Sequence, residues 1–228
     1  MKRDMKNNIA AALCLMSLCS FANNAQVWTK EDMLYSVGTR TIVGVSQENR
    51  IGVNEWNDGK KHLDEIHIAP SVDYLIYNWL SVGVNYRHVL LRDGSDARYT
   101  NDRRPGIDVA LKKSLYGISL LNRSRFICRI PEGENPYFRY RNLSKLSYAI
   151  GDFSPFASYE WYYDEGSHHR KYRKNDRFSQ QWLSFGIDYQ VCKNLKATLN
   201  YMLTENKNRI EHNWYPGHVI GIGLAISF

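Results

Sequence analysis

Apolar and polar residues alternate with a period of two along most of this chain. Ile220, Ile222, Leu224, Ile226 and Phe228 share one parity; Val219, Gly221, Gly223, Ala225 and Ser227 share the other. Successive strand side chains point to opposite faces, so one face of this segment is large and apolar and the other small. The same alternation sets Leu195, Ala197, Leu199, Tyr201 and Leu203 against Lys196, Thr198, Asn200, Met202 and Thr204. It sets Leu80, Val82, Val84 and Tyr86 against Ser81, Gly83, Asn85 and Arg87. Strands are predicted at roughly 38–51, 62–75, 79–92, 103–112, 115–130, 137–150, 153–164, 178–190, 194–206 and 216–228. Each exceeds the ~9–11 residues that a tilted strand needs to cross a bilayer.

The connections carry a second pattern. Those near 76–78, 113–114, 151–152 and 191–193 are short, whereas 52–61, 93–102, 131–136, 165–177 and 207–215 are longer and polar. Short periplasmic turns alternating with long extracellular loops mark bacterial outer-membrane barrels. The expected fold is therefore all-β: one antiparallel transmembrane up-and-down β-barrel of about ten strands, spanning 38–228. Residues 26–37 read as a periplasmic lead-in or as an extra strand that shifts the count to twelve. This reading places both termini in the periplasm and makes the strand number even. A chain ending on Phe228 after such a strand looks like the signal read by the barrel-assembly machinery. Asn122, Ser124, Asn142 and Ser144 break the scheme, because a strict register turns them toward lipid; a bulge or a local covering would account for them.

The start of the chain has the organisation of a secretory signal peptide over 1–25. Lys2, Arg3 and Lys6 precede an apolar run from Ile9 to Phe21, and cleavage is expected after Ala22 or Ala25. The run is too short for a helix spanning a ~30 Å core. Cys128 and Cys192 fall at opposite ends of the predicted barrel, so both are expected as free thiols.

Composition adds three points. Mean hydropathy is negative, which a barrel tolerates because only alternate residues are apolar. Aromatics make up 13% of the chain, with 16 Tyr, and such side chains concentrate at membrane–water interfaces. The formal charge is +7, about +5 without Lys2, Arg3, Asp4 and Lys6. That balance, without a Lys/Arg run, gives no support for a nucleic-acid partner.

Arg123-Ser124-Arg125, Phe138-Arg139-Tyr140-Arg141, Pro155-Phe156-Ala157-Ser158-Tyr159-Glu160, Gly186-Ile187-Asp188-Tyr189 and Leu199-Asn200-Tyr201 occur here in this order. In these motifs the chain resembles an uncharacterised bacterial outer-membrane β-barrel family, a domain of unknown function. The resemblance covers most of the mature chain, most closely from 115 to 205. It implies a barrel in the outer membrane of a Gram-negative bacterium and brings no functional residues.

Candidate chemistry lies on the inward parity. Arg123, Arg125, Arg129, Arg139 and Arg141 form a predicted basic wall in the outer half of the lumen. Arg40, Arg50 and Arg87 are further basic lumen candidates, and Glu48, Asp108, Glu160 and Asp188 the acidic partners. Guanidinium forks suit carboxylate and phosphate, so one reading is a narrow anion-preferring pore for small acidic solutes. The other is a closed-lumen structural or interaction barrel whose charges satisfy one another and whose loops contact lipopolysaccharide. About 8 strands give a barrel filled by side chains, whereas 16–18 leave a channel. An enzyme is not expected: His168 and His169, beside Asp164 and Glu165, sit in a charged loop, and neither His67 nor His88 has a serine in register for a hydrolase. No cofactor or metal is expected.

Overall fold

The computed structural model describes residues 25–52, 62–93, 98–165, 177–207 and 213–228. The expected signal peptide and the His168–His169 loop lie outside the described residues.

Among the described residues eleven strands close into one barrel. They are β1 (Ala25–Val37), β2 (Thr41–Gly52), β3 (His62–Tyr77), β4 (Leu80–Asp93), β5 (Arg98–Leu115) and β6 (Ile118–Pro131), then β7 (Tyr137–Tyr148), β8 (Phe153–Glu165), β9 (Phe178–Cys192), β10 (Leu195–Lys207) and β11 (Trp214–Ser227). Each strand pairs antiparallel with its sequence neighbour, and the ring closes where β1 lies parallel to β11. Leu195–Lys207 and Trp214–Ser227 pair along their full length because their period-two patterns match face for face.

The expectation of ten or twelve strands is corrected to eleven. Residues 26–37 form a strand, but one that runs with its C-terminal neighbour rather than against it. The C-terminal residue is locked into this seam: Phe228 N donates to Leu34 O at 2.9 Å, and Ser36 N donates to Phe228 O at 3.0 Å. Because β1 and β11 are parallel, Ala25 lies at the long-loop end of the barrel and Phe228 at the short-turn end. The two ends of the barrel chain therefore do not share a side, as an even strand number had required.

The turn expected at 113–114 falls instead at Tyr116–Gly117. Both residues have positive φ, 50° and 81°. A two-residue hairpin turn of this hand needs φ > 0 at both positions, and Gly117 accepts it without strain. Lys112, Lys113 and Ser114 are polar but continue β5.

The outer surface is apolar between two aromatic bands. Near the short turns Tyr77 stacks on Trp79 at 5.5 Å and Phe153 on Tyr189 at 4.7 Å. Toward the other end a run of rings crosses five neighbouring strand pairs' worth of wall from β6 to β11: Phe126, Tyr140, Trp161, Phe178 and Trp214, with successive centroids 4.9, 5.2, 6.2 and 5.6 Å apart. Among the described residues no helix is long and apolar enough to cross a membrane, which says nothing about strands.

Asn122, Ser124, Asn142 and Ser144 do face outward, and no bulge re-aims them, since β6 and β7 pair without a shift. They bond to each other instead. The Asn122 amide donates to Asn142 Oδ1 at 3.1 Å and to Ser144 Oγ at 2.9 Å. Asn142 donates in return to Asn122 Oδ1 at 3.2 Å and to Ser124 Oγ at 3.0 Å.

Candidate functional site

Inside the barrel the small inward face of β11 makes room for large side chains. Trp28 on β1 is in register with Gly221 and with Arg50 on β2. A Cβ at position 221 would collide with Asn200. Over this shallow stretch of wall Trp28 reaches Trp182 on β9, edge to face at 5.2 Å, and Trp182 packs on Tyr162 of β8 at 4.6 Å. Arg50 stacks on Trp28, 3.8 Å from the ring centroid. This aromatic group stands between two cavities that share Trp28. The larger, of about 520 Å³, lies toward the long-loop end; the smaller, of about 260 Å³, is lined by Lys30, Glu48, Lys145 and Asp188 among others.

Seven arginines line the larger cavity: Arg50, Arg87, Arg104, Arg125, Arg129, Arg139 and Arg141. Glu65 is the one carboxylate among its described lining residues. The acids that balance the wall are recessed behind the guanidiniums. Asp102, Asp108, Glu160 and Asp164 are all buried, Asp102 completely. Arg139 holds Asp164 through Nε at 2.5 Å and Nη2 at 2.8 Å. Arg141 holds Glu160 through Nε at 2.8 Å and Nη2 at 2.9 Å. Arg125 grips Asp108 through the same two nitrogens, with Nε at 2.6 Å. Arg104 and Arg129 converge on Asp102, again through Nε and Nη2. In all five the side of the fork is taken, and Nη1 makes no hydrogen bond among the described residues. A guanidinium has five N–H donors, so each keeps donors for a ligand. The carboxylates fix where those donors sit.

Two arginines are placed differently. Arg87 lines the cavity, and Arg123 lies one inward position below Arg125 on β6. Neither makes an ion pair or hydrogen bond with any described residue.

Arg123, Arg125, Arg129, Arg139 and Arg141 share the inward parity of β6 and β7, where Arg125 pairs with Asp108 and Arg141 with Glu160. Glu48 pairs with Arg50 at 2.7 Å, and Asp188 with Lys145 at 2.9 Å. Arg40 is a correction: it lies in the exposed turn between β1 and β2, outside the lumen. Arg104, Asp102 and Asp164 were missed. The first two continue the inward parity of Asp108; Arg104 stands inside the strand expected at 103–112, and only Asp102 needs that strand drawn back toward residue 98. His67 is buried, with Nε2 2.6 Å from Glu65 Oε2.

Residues 25–215 match a family model described as "Protein of unknown function (DUF2490)". No curated relative matches the chain. Among solved structures the chain is similar to a NanC porin, with 10% identity and a TM-score of 0.52 over 89% of this chain and 99% of that one. LpxR from Salmonella typhimurium gives 9% identity and a TM-score of 0.48 over 81% and 83%. The outer-membrane OmpT of Vibrio cholerae gives 10% and 0.39 over 78% and 61%. The likeness to the first is one of fold, a closed barrel of the outer-membrane kind.

Proposed function

The chain belongs to this family of unknown function, and from that premise we propose that it spans the outer membrane as a narrow, anion-preferring pore for small acidic solutes. One observation carries the reading: a cavity of about 520 Å³ fronted by seven arginines, with the balancing acids set back in the wall. Water-filled spaces lined by guanidinium attract anions and repel cations. The apolar belt between two aromatic bands supports the membrane setting, with the long-loop end facing out toward lipopolysaccharide.

The test is conductance of the refolded protein in a planar bilayer under a salt gradient. Discrete steps with a reversal potential favouring anions are expected. Arg87→Gln removes a cavity charge without breaking an ion pair, so it should move that potential toward the cation side. A channel that stays silent in bilayers favours the second reading, a closed-lumen barrel acting through its loops. That reading draws on the contact of Trp28 with Trp182 and on the paired state of the wall.

A further inference from the structure

Four polar side chains interrupt the apolar outer surface where β1 meets β2. Thr29 and Glu31 on β1 share the outward parity with Met33 and Tyr35; Gln47 and Asn49 on β2 share it with Val45. On one side they are flanked by Ile222 and Leu224 of β11, and on the other by Ile66 and Ile68 of β3. Glu31 is four residues from Tyr35. At 3.3 Å per residue and a tilt of ~40°, it lies about 10 Å inside the aromatic band.

This island is unlike the one on β6 and β7. There each amide uses both donors on its neighbours. Here the internal bonds are long: Gln47 Nε2 to Asn49 Oδ1 at 3.5 Å, and Asn49 Nδ2 to Thr29 Oγ1 at 3.3 Å. Glu31 is exposed and makes no hydrogen bond or ion pair with any described residue. A carboxylate facing hydrocarbon near mid-depth costs free energy unless something meets it.

The register says what fits. Glu31 is the cross-strand partner of Gln47, and at an inter-strand spacing of ~4.8 Å and a tilt of ~40° the two lie within about 3 Å of one depth, inside the reach of their side chains. Two copies in one membrane meet around a two-fold axis along the membrane normal. If that axis passes between Glu31 and Gln47, Glu31 of one copy faces Gln47 of the other, twice over. The carboxylate then accepts from an amide that its own chain leaves under-used. Such self-complementarity is what an isologous interface requires, and polar contacts of this kind bind membrane segments together.

We infer that the outer face of β1 and β2 is a homodimer interface, joined by reciprocal Glu31–Gln47 contacts. The inference rests on the membrane-spanning reading above. The test uses the full chain with its four cysteines, Cys14, Cys19, Cys128 and Cys192, replaced by Ser, reconstituted in lipid vesicles. One preparation carries Glu31→Cys, a second Gln47→Cys, and a control Leu146→Cys on β7, across the barrel from β1 and β2. Mixing the first two before mild oxidation is expected to give severalfold more disulfide dimer than either alone, and than the control mixed with either. Equal, control-level cross-linking in chains that resist alkaline extraction from vesicles would overturn the dimer and leave the barrel reading intact. Chains that are extracted would overturn both. Adding Glu31→Leu to the Gln47→Cys chain checks the polar contact, since it removes the one Glu31–Gln47 pair that the mixed dimer keeps and should lower its yield.

Discussion

At the scale of single residues, the arginines of the wall separate into two kinds, and their substitutions should behave oppositely. Arg141 balances a buried Glu160. Arg141→Ala leaves that carboxylate uncompensated, and a loss of about 3–5 kcal/mol in denaturant unfolding is expected. The double change Arg141→Met with Glu160→Leu should recover most of it, because the desolvated pair is removed as a unit. Arg87 has no such partner among the described residues, so Arg87→Met should leave stability unchanged or raise it. The parity of the sequence made the inward arginines legible. What it did not reveal was which of them are clamped, because that depends on acids three-dimensionally adjacent but distant in sequence, such as Asp102 for Arg129.

At the scale of elements, the strands of the C-terminal two thirds were legible nearly to their ends. Residues 178–190 and 194–206 were read where Phe178–Cys192 and Leu195–Lys207 stand. The misses share a physical cause. Polar residues at strand ends read as loop, as at Arg98–Asn101 and Lys113–Ser114, although a strand that rises beyond an apolar belt has no reason to stay apolar. The turn Tyr116–Gly117 was hidden because one of its positive-φ positions is held by a tyrosine. Close approach of strands makes a further point. A Cβ at Gly186 would lie 2.6 Å from Leu199 O and 2.7 Å from Phe156 Cζ. Gly186→Ala is expected to cost about 1–3 kcal/mol, and a shift of the unfolding midpoint at constant slope would register it.

At the scale of the whole molecule, β1 decides how the wall closes and what fills it. Its removal would leave β2 and β11 as edges that run antiparallel, so a ten-stranded ring remains open to the chain. It would also take Trp28 away from Arg50 and Trp182. Deletion of 25–37 should thus keep the far-ultraviolet β signal and lose near-ultraviolet tryptophan ellipticity, while widening the space between the two cavities. A collapse of both signals would mean that β1 is required for closure itself. The even strand number expected from alternating loop lengths was sound reasoning for a purely antiparallel wall. It failed because alternation of connections says nothing about how the first and last strands meet.

The parallel seam has a consequence for the order of the chain as a covalent object. In an antiparallel barrel the first and last strands end side by side, and a short linker can join them so that new ends are opened elsewhere. Here the start of β1 and the end of β11 are separated by the height of the wall, about 30 Å for 13 residues at 3.3 Å on a tilted strand. A circular permutant made with a few glycines would have to tear the seam to close. One that keeps it needs a linker long enough to thread the lumen or cross the membrane, so a permutation series with graded linker lengths would read the seam directly.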